Sequence, residues 1–322
     1  MSVLGRHIRQ GIEGMKDRLV TLIGGGGFIG RYVAQELLAA GARLRIAQRD
    51  PREALFLKPL GGLGQIQFVA ADVRKPETIA RSVAGANAVV NLAGSFSDVD
   101  AVIARGARVV AEAAASAGVA KLVHLSAIGA DPESPSAYGR AKAAGEAAVK
   151  AVFPAASILR PSTVFGREDA FVNRFAALIA RLPVVPVLRA SARFQPVYVT
   201  DVAQAVKAAL GDSAVAGQIL ELGGPDVLTM GALIRWIADA IGRDPAILEL
   251  PDMVGGLIAM GGFLPGAPIT RDQWLMLQRD AVVTGSDGLA ALGIAPTPMG
   301  AVAPAWLVRY RRNGRFGTHA AA

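Results

Sequence analysis

The chain contains no cysteine, and this removes several kinds of chemistry at once. A disulfide framework, a thiolate nucleophile and zinc or iron–sulfur sites built on cysteine are all excluded. Histidine is scarce as well: His7, His124 and His319 stand far apart without ligand spacing, so no metal centre is expected. Aromatic residues make up only 6% of the chain, and its basic residues are dispersed rather than interleaved with aromatics, which argues against nucleic acid as a partner. No segment has the length and unbroken apolarity of a membrane span. The nearest stretch, 253–270, is uncharged but is broken by five glycines and two prolines. The first seventeen residues mix arginine with Glu13 and Asp17 and lack the apolar core of a secretion signal.

Hydrophobic residues account for 52% of 322, enough for a large buried core. The formal charge of +8 is densest in a head of Arg6, His7 and Arg9 and a tail of Arg309, Arg311, Arg312 and Arg315. That tail reads as a solvated or partner-facing basic end. Between head and tail, short apolar runs alternate with helical patterns: Leu19–Ile23, then 28–40; 44–47; Ile66–Ala70, then 76–84; 88–92, then 99–117; 122–126, then 138–152; and 158–159. This rhythm predicts an α/β fold, a Rossmann-type doubly wound parallel sheet with helices on both faces. Past Pro161 the rhythm loosens. Proline-punctuated loops are expected at 182–187 and 264–268, helices at 201–210 and 230–241, and a strand, Ile219–Leu222, returning to the sheet.

Directly after the first expected strand comes Gly24-Gly25-Gly26-Gly27-Phe28-Ile29-Gly30, which fits G-x-x-G-x-x-G and opens onto a helical pattern. Glycine is needed there for a tight turn and for backbone close enough to touch a pyrophosphate, and a helix N-terminus adds free amides and partial positive charge. The position between strand and helix makes this a dinucleotide signal rather than a flexible turn. Domain boundaries follow: an N-terminal extension at 1–17 that is open to disorder, an NAD(P)-binding Rossmann core at 18–165, a smaller interleaved C-terminal lobe on the substrate side at 166–300, and the basic tail at 301–322.

At the end of the second strand NAD-binding proteins usually carry an acid for the ribose hydroxyls. Here the stretch reads Gln48-Arg49-Asp50. An amide followed by a guanidinium suits a 2′-phosphate, so NADP(H) is expected over NAD(H), with Asp50 serving the ribose as the alternative. Asp72 and Val73 after the third strand, and Asn91-Leu92-Ala93-Gly94 after the fourth, fall at successive strand ends of the same sheet, where ligands bind in open α/β folds.

Tyr138-Gly139-Arg140-Ala141-Lys142 places a phenol and an ammonium one turn apart at the head of an alanine-rich helix. A lysine cation beside the phenol is expected to lower its pKa toward a useful range, and Ser126, at the fifth strand's end, is placed to bind a substrate carbonyl. Ser126, Tyr138 and Lys142 are therefore the candidate catalytic set of an oxidoreductase or epimerase. The competing expectation is that they only seat the cofactor.

The segments IGGGGFIGRYV, YGRAKAAGEAAV, ILRPSTVFGRED, FVNRF, RFQPVYVTDVA, PITRD and LGIAPTPM spread over almost the whole chain. In them the chain resembles the extended and atypical short-chain dehydrogenase/reductases. More specifically, it looks like the family of the NADPH-binding accessory subunit of respiratory complex I, alpha-subcomplex subunit nine, with its bacterial relatives. The resemblance implies that Gly24, Gly27 and Gly30, with Phe28 and Ile29, line the pyrophosphate and that Arg49 meets the 2′-phosphate. It further implies Asp72 and Val73 at the adenine, Ala93 and Gly94 beside the nucleotide, Lys142 at the nicotinamide ribose and Pro161 bordering the nicotinamide. It implies a largely structural NADPH, complex I subunits as partners, and a cytoplasmic location, peripheral on the inner face of the respiratory membrane, with 253–270 near the lipid surface. The alternative is an active NAD(P)-dependent enzyme on a carbonyl or secondary alcohol such as a quinone precursor or sugar nucleotide. After Gly94 only Ser95-Phe96-Ser97-Asp98 precede the next helical pattern, a shorter loop than the family's usual one, which leaves little chain to enclose a substrate.

Overall fold

Seven strands form one sheet, and every neighbouring pair in it is parallel: β1 (Leu19–Ile23), β2 (Arg43–Gln48), β3 (Ile66–Ala70), β4 (Ala88–Asn91), β5 (Lys121–Leu125), β6 (Ser157–Pro161) and β7 (Ile219–Leu222). The computed structural model describes residues 15–211, 214–262 and 269–316. Most of the expected N-terminal extension, residues 263–268 of the uncharged stretch and the end of the tail lie outside these residues.

The strand order is β7-β6-β5-β4-β1-β2-β3, so the sheet reverses direction of winding between β1 and β4. The central strands are apolar on both faces because both are covered. β4 is buried throughout, whereas β3 at the edge is only half covered. Helix α1 (Phe28–Ala39) packs on α5 (Val199–Gly211), and an ion pair from Lys207 to Glu36 joins them. Helices α2 (Pro76–Val83), α3 (Gly106–Ser116) and α4 (Ala137–Val152) pack in series. Their inward residues, among them Ile79, Val110, Ala114 and Val149, share one core with Val89 and Leu122 of the sheet. Since all strands run the same way, their carboxyl ends lie along one edge. The glycine loop, Gln48, Asp72, Asn91, Ser126 and Pro161 all fall there.

The chain divides into two compact units. The first takes its described residues from Met1–Pro161, Val199–Leu222 and Gly285–Ala295, and contains the sheet. The second draws on Ser162–Tyr198, Gly223–Thr284 and Pro296–Ala322. Its core gathers Phe165, Phe194, Ile234, Trp306 and Leu307.

One expectation is corrected in the second unit and another is refined. Residues 182–187 are not simply a loop: Val184–Leu188 is a strand paired in parallel with Ala246–Leu250. Val185 and Val187 point into the core while Pro186 faces out, and a two-stranded ribbon tolerates proline because it has free edges. The basic tail, expected as a solvated or partner-facing end, is exposed at Arg309 and Arg312 but is also tied down. Trp306 and Leu307 are buried, Arg309 donates to the side chain of Asn173 at 2.6 Å, and Arg311 donates to the Ala240 carbonyl at the end of helix Met230–Ala240. A guanidinium satisfies unpaired carbonyls at a helix C-terminus, which accounts for the half-buried Arg311, whereas Arg309 stays exposed.

Candidate functional site

At the end of β1 the backbone turns sharply. Gly24 takes φ +78°, and a Cβ there would lie 3.2 Å from the Leu92 carbonyl, so both conformation and space call for glycine. The turn is fixed to the sheet by Gly24 N–H donating to Ala47 O at 2.7 Å. Gly30, in the first turn of α1, approaches the loop so closely that a Cβ would meet Gly25 O at 2.4 Å. Gly27 caps α1 with extended backbone and no side chain bonds the helix's first amides. These amides, lying at the sheet's reversal point, form a cradle that fits a pyrophosphate.

The adenosine end is set by β2 and β3. β2 ends at Gln48, whose amide donates to the Asp50 carbonyl at 2.7 Å. Arg49 follows and is exposed. The Asp50 carboxylate caps the next helical turn (Pro51–Leu60) and holds Arg52 through both oxygens, at 3.0 and 2.9 Å. After β3, Asp72 is gripped by Arg74 in the same two-pronged way, which brings its carboxyl down to about 2. Val73, expected at the adenine, turns its side chain into the core with the α3 helix. Only its backbone is left for a ligand. Ala93 N–H donates to Asn91 Oδ1 at 3.1 Å, and Gly94 is exposed with open space around it.

Ser126, Tyr138 and Lys142 come together at the ends of β5 and α4. Ser136 caps α4 by accepting from Gly139 N–H at 3.3 Å, which fixes where the helix starts and so where Tyr138 stands. Ser126 is held by its own N–H donating to Leu159 O at 2.7 Å, and its hydroxyl is buried without a hydrogen-bond partner among the described residues. The Lys142 ammonium lies 5.6 Å from the centre of the Tyr138 ring and donates to Leu125 O at 3.0 Å. Pro161 ends β6, and its carbonyl accepts from Ile128 N–H at 3.1 Å.

The family model of the NAD dependent epimerase/dehydratase family matches residues 20–223. The chain belongs to that family. This epimerase/dehydratase relative is 32% identical to the mouse (Mus musculus) protein "NADH dehydrogenase [ubiquinone] 1 alpha subcomplex subunit 9, mitochondrial", over 91% of this chain and 80% of that protein. It is also 32% identical to the ceramide reductase of Caulobacter vibrioides, over 83% of this chain and 81% of that one. Its fold matches a solved NADPH-dependent quinone oxidoreductase from Escherichia coli with a TM-score of 0.73 at 18% identity, over 89% of this chain and 99% of that one. It is thus a Rossmann-type member of an NAD(P)-binding family.

Within this family member the electrostatics of the Ser126, Tyr138 and Lys142 group depart from expectation. Lysine was expected to bring the phenol down. Instead, burial pushes Tyr138 up to about 12 and pulls Lys142 down to about 8, against an opposing pull from Glu146. Desolvation penalises each group's charged form and here outweighs their mutual effect. Phe96, in the short loop after Gly94, adds to the covering: its ring stacks on Tyr138 at 4.9 Å and 20°.

Sequence reading missed three residues of this epimerase/dehydratase site. His124 on β5 is fully buried, its Nδ1 is 3.1 Å from Asn91 Nδ2, and its Nε2 has no partner among the described residues. Glu146 on α4 and Arg160 on β6 form a two-pronged ion pair at 2.8 and 2.6 Å. The signal for Glu146 was available, one turn beyond Lys142 in the same helical register. His124 in an apolar run carried no signal beyond its rarity.

Proposed function

We propose that this chain holds NADP(H) as a largely structural ligand and serves as an accessory or assembly component of respiratory complex I, NADH:ubiquinone oxidoreductase. The observation that carries this reading is the contrast within the site. The pyrophosphate cradle is complete in backbone alone, while the phenol that would transfer a proton is pushed up to about 12 under Phe96. A site of this kind retains a nucleotide without being tuned for acid–base work near neutral pH. The similarity to the mouse complex I subunit over 91% of the chain supports the same reading.

NADP(H) rather than NAD(H) is favoured by the adenosine end. Asp50, the acid that would accept ribose hydroxyls, is held by Arg52, while Arg49 is exposed and its charge reaches Asp72. A peripheral seat on the inner, cytoplasmic face of the membrane is favoured by the helix Asp252–Met260, which exposes Met253, Leu257 and Met260. Among the described residues no helix is long and apolar enough to cross a membrane. Residues 263–268 of the stretch expected near the lipid surface lie outside the described residues.

The decisive experiment is copurification from gently solubilised membranes, with the bound nucleotide identified by mass and its oxidation state followed during NADH:ubiquinone turnover. NADPH that stays reduced in a chain migrating with complex I is the expected result. A chain migrating alone, or nucleotide that cycles, removes the reading.

A second reading, an active reductase or epimerase on a carbonyl or secondary alcohol, is favoured by the unpartnered buried hydroxyl of Ser126 and by the similarity to a ceramide reductase. Tyr138→Phe separates the two. An enzyme loses most of its turnover and keeps its nucleotide; an accessory protein changes only in how firmly it holds NADPH.

A further inference from the structure

Lys142 is buried, and its ammonium makes one hydrogen bond, to Leu125 O. One turn along α4 stands a buried carboxylate, Glu146, the natural partner for such a cation. Yet no ion pair joins them. Both carboxylate oxygens are taken by Arg160, Nε at 2.8 Å and Nη2 at 2.6 Å, and Arg160 reaches on to Glu221 of β7 at 3.8 Å. A guanidinium fork holds a carboxylate in one plane, and here it holds Glu146 away from the lysine.

Among the described residues, the other groups on the elements around Lys142 that could carry a negative charge are neutral or exposed: on α3, which packs against α4, Glu112 is exposed, as is the cation Arg108. On β5, His124 is kept neutral by burial, and on α4 itself Tyr138 stays protonated. On the helical turn Asp100–Arg105, which packs against α4, the two charged end residues are exposed and pair with each other at 3.3 Å.

We propose that Arg160 is a positioning residue: its hold on Glu146 leaves the remaining ammonium donors of Lys142 free for a ribose hydroxyl of the nucleotide, and so sets the pH above which the nucleotide is released. The proposal rests on the reading that Lys142 faces the nicotinamide ribose. Burial already brings the ammonium down to about 8 while Glu146 pulls it up, so a change in the charge of either partner acts on a group poised to respond.

The test measures NADPH affinity of the purified full chain by nucleotide fluorescence from about pH 6.5 to about pH 9.5, the range that brackets a lysine so shifted. Glu146→Gln removes the anion and leaves the Arg160 cation, so the alkaline loss of binding moves to lower pH by about one unit. Arg160→Met frees the carboxylate to draw the ammonium. The alkaline limb then moves about one unit the other way, and binding near pH 7 weakens about tenfold as the lysine turns from the ribose. The double variant brings the limb back between the two. If Arg160→Met fails to fold, Arg160→Lys, which keeps the charge and loses the fork, shows the same upward shift at smaller size. The carbon-13 shift of the Lys142 side chain in nucleotide-free protein, assigned with Lys142→Arg, moves in the same two directions.

A merely structural pair weakens binding in both single variants without moving their pH limbs apart. Limbs that stay put, or that move the same way in both, overturn the proposal while leaving the nucleotide reading standing. A chain that takes up no NADPH at any pH removes both.

Discussion

The two ends of the candidate site are made of different materials. The pyrophosphate end is backbone: two close glycine approaches and a helix start with no side-chain cap. The other end is side chains, with Asn91, His124, Ser126, Lys142 and Glu146 all buried within a few strand and helix positions of one another. Backbone amides have fixed charge and no pKa to shift, so the first end works alike at any pH. Buried titratable groups respond to every neighbour, so the second end is governed by desolvation. The difference teaches where function is rigid in this fold and where it is adjustable.

The largest expected effect breaks the rigid end. Gly30→Val places a Cβ 2.4 Å from Gly25 O and 2.6 Å from Gly25 C, backbone atoms that move only if the loop opens. Copurified nucleotide should be lost, with about 1–3 kcal/mol of stability lost as overpacking. Mass analysis and urea unfolding check both. Gly300→Ala, in the second unit, is the control: nothing lies within 4 Å of its added Cβ, and nucleotide content should match the wild type. If Gly30→Val still binds, the backbone cradle is not what holds the nucleotide.

The adjustable end is broken next by acid. Burial brings His124 down to about 3 from an ordinary 6.5. Between these values the unfolded chain binds the proton and the folded one does not, so stability falls as pH drops below 6.5. The loss from pH 7 to pH 5 should be about 2 kcal/mol, at ~1.4 kcal/mol per pH unit. Asp72 does not confuse the window: with its carboxyl at about 2 rather than 3.8, its stabilisation is lost only in stronger acid. His124→Gln cannot titrate. Its urea midpoint should change far less between pH 7 and pH 5 than that of the wild type, and equal slopes in the two proteins would sink the idea.

The same contrast decides how much was legible in the sequence. Glycine spacing encodes a backbone shape directly, so Gly24, Gly27 and Gly30 stand where their motif put them, and the parallel sheet follows from short strands without a polar face. The direction of a pKa shift is a property of three-dimensional burial. The Tyr138 and Lys142 spacing gave their proximity, but not that desolvation outweighs it, nor that Arg160, eighteen positions on from Lys142, takes up its carboxylate. Val73 shows the limit in small: its place after β3 was legible and its turn into the core was not. In the second unit the prolines hid a strand, and the bonds of Arg309 and Arg311 were not legible because their acceptors, Asn173 and Ala240, are distant in sequence.

A smaller effect sharpens the comparison at the adenosine end, where one exposed side chain is expected to act by charge. Arg49→Ala should weaken NADPH binding about tenfold or more, the worth of a charge-assisted hydrogen bond, and leave NADH binding unchanged. Calorimetry with the two nucleotides gives the ratio. An equal loss for both would mean that Arg49 does not read the 2′-phosphate.

The smallest effect asks whether the adjustable end can be retuned without touching a polar group. Phe96 is 67% exposed yet lies stacked on Tyr138, so it covers the phenol ring at the cost of its own apolar exposure. Removing it lets water reach the phenol. The tyrosinate is then better solvated, and Tyr138 should come down from about 12 toward the ordinary 10, by a fraction of a unit to about one unit, since the rest of its burial remains. Absorbance titration near the tyrosinate band compares Phe96→Ala with wild type, and Tyr138→Phe in each background identifies which titration step belongs to this residue. The pyrophosphate end predicts no companion change: NADPH affinity at pH 7 should stay within about twofold, because the amides that bind it are indifferent to the phenol. A phenol that titrates unchanged after Phe96→Ala would place its desolvation in the helix and strand around it, and the short loop after Gly94 would then have no part in tuning the site.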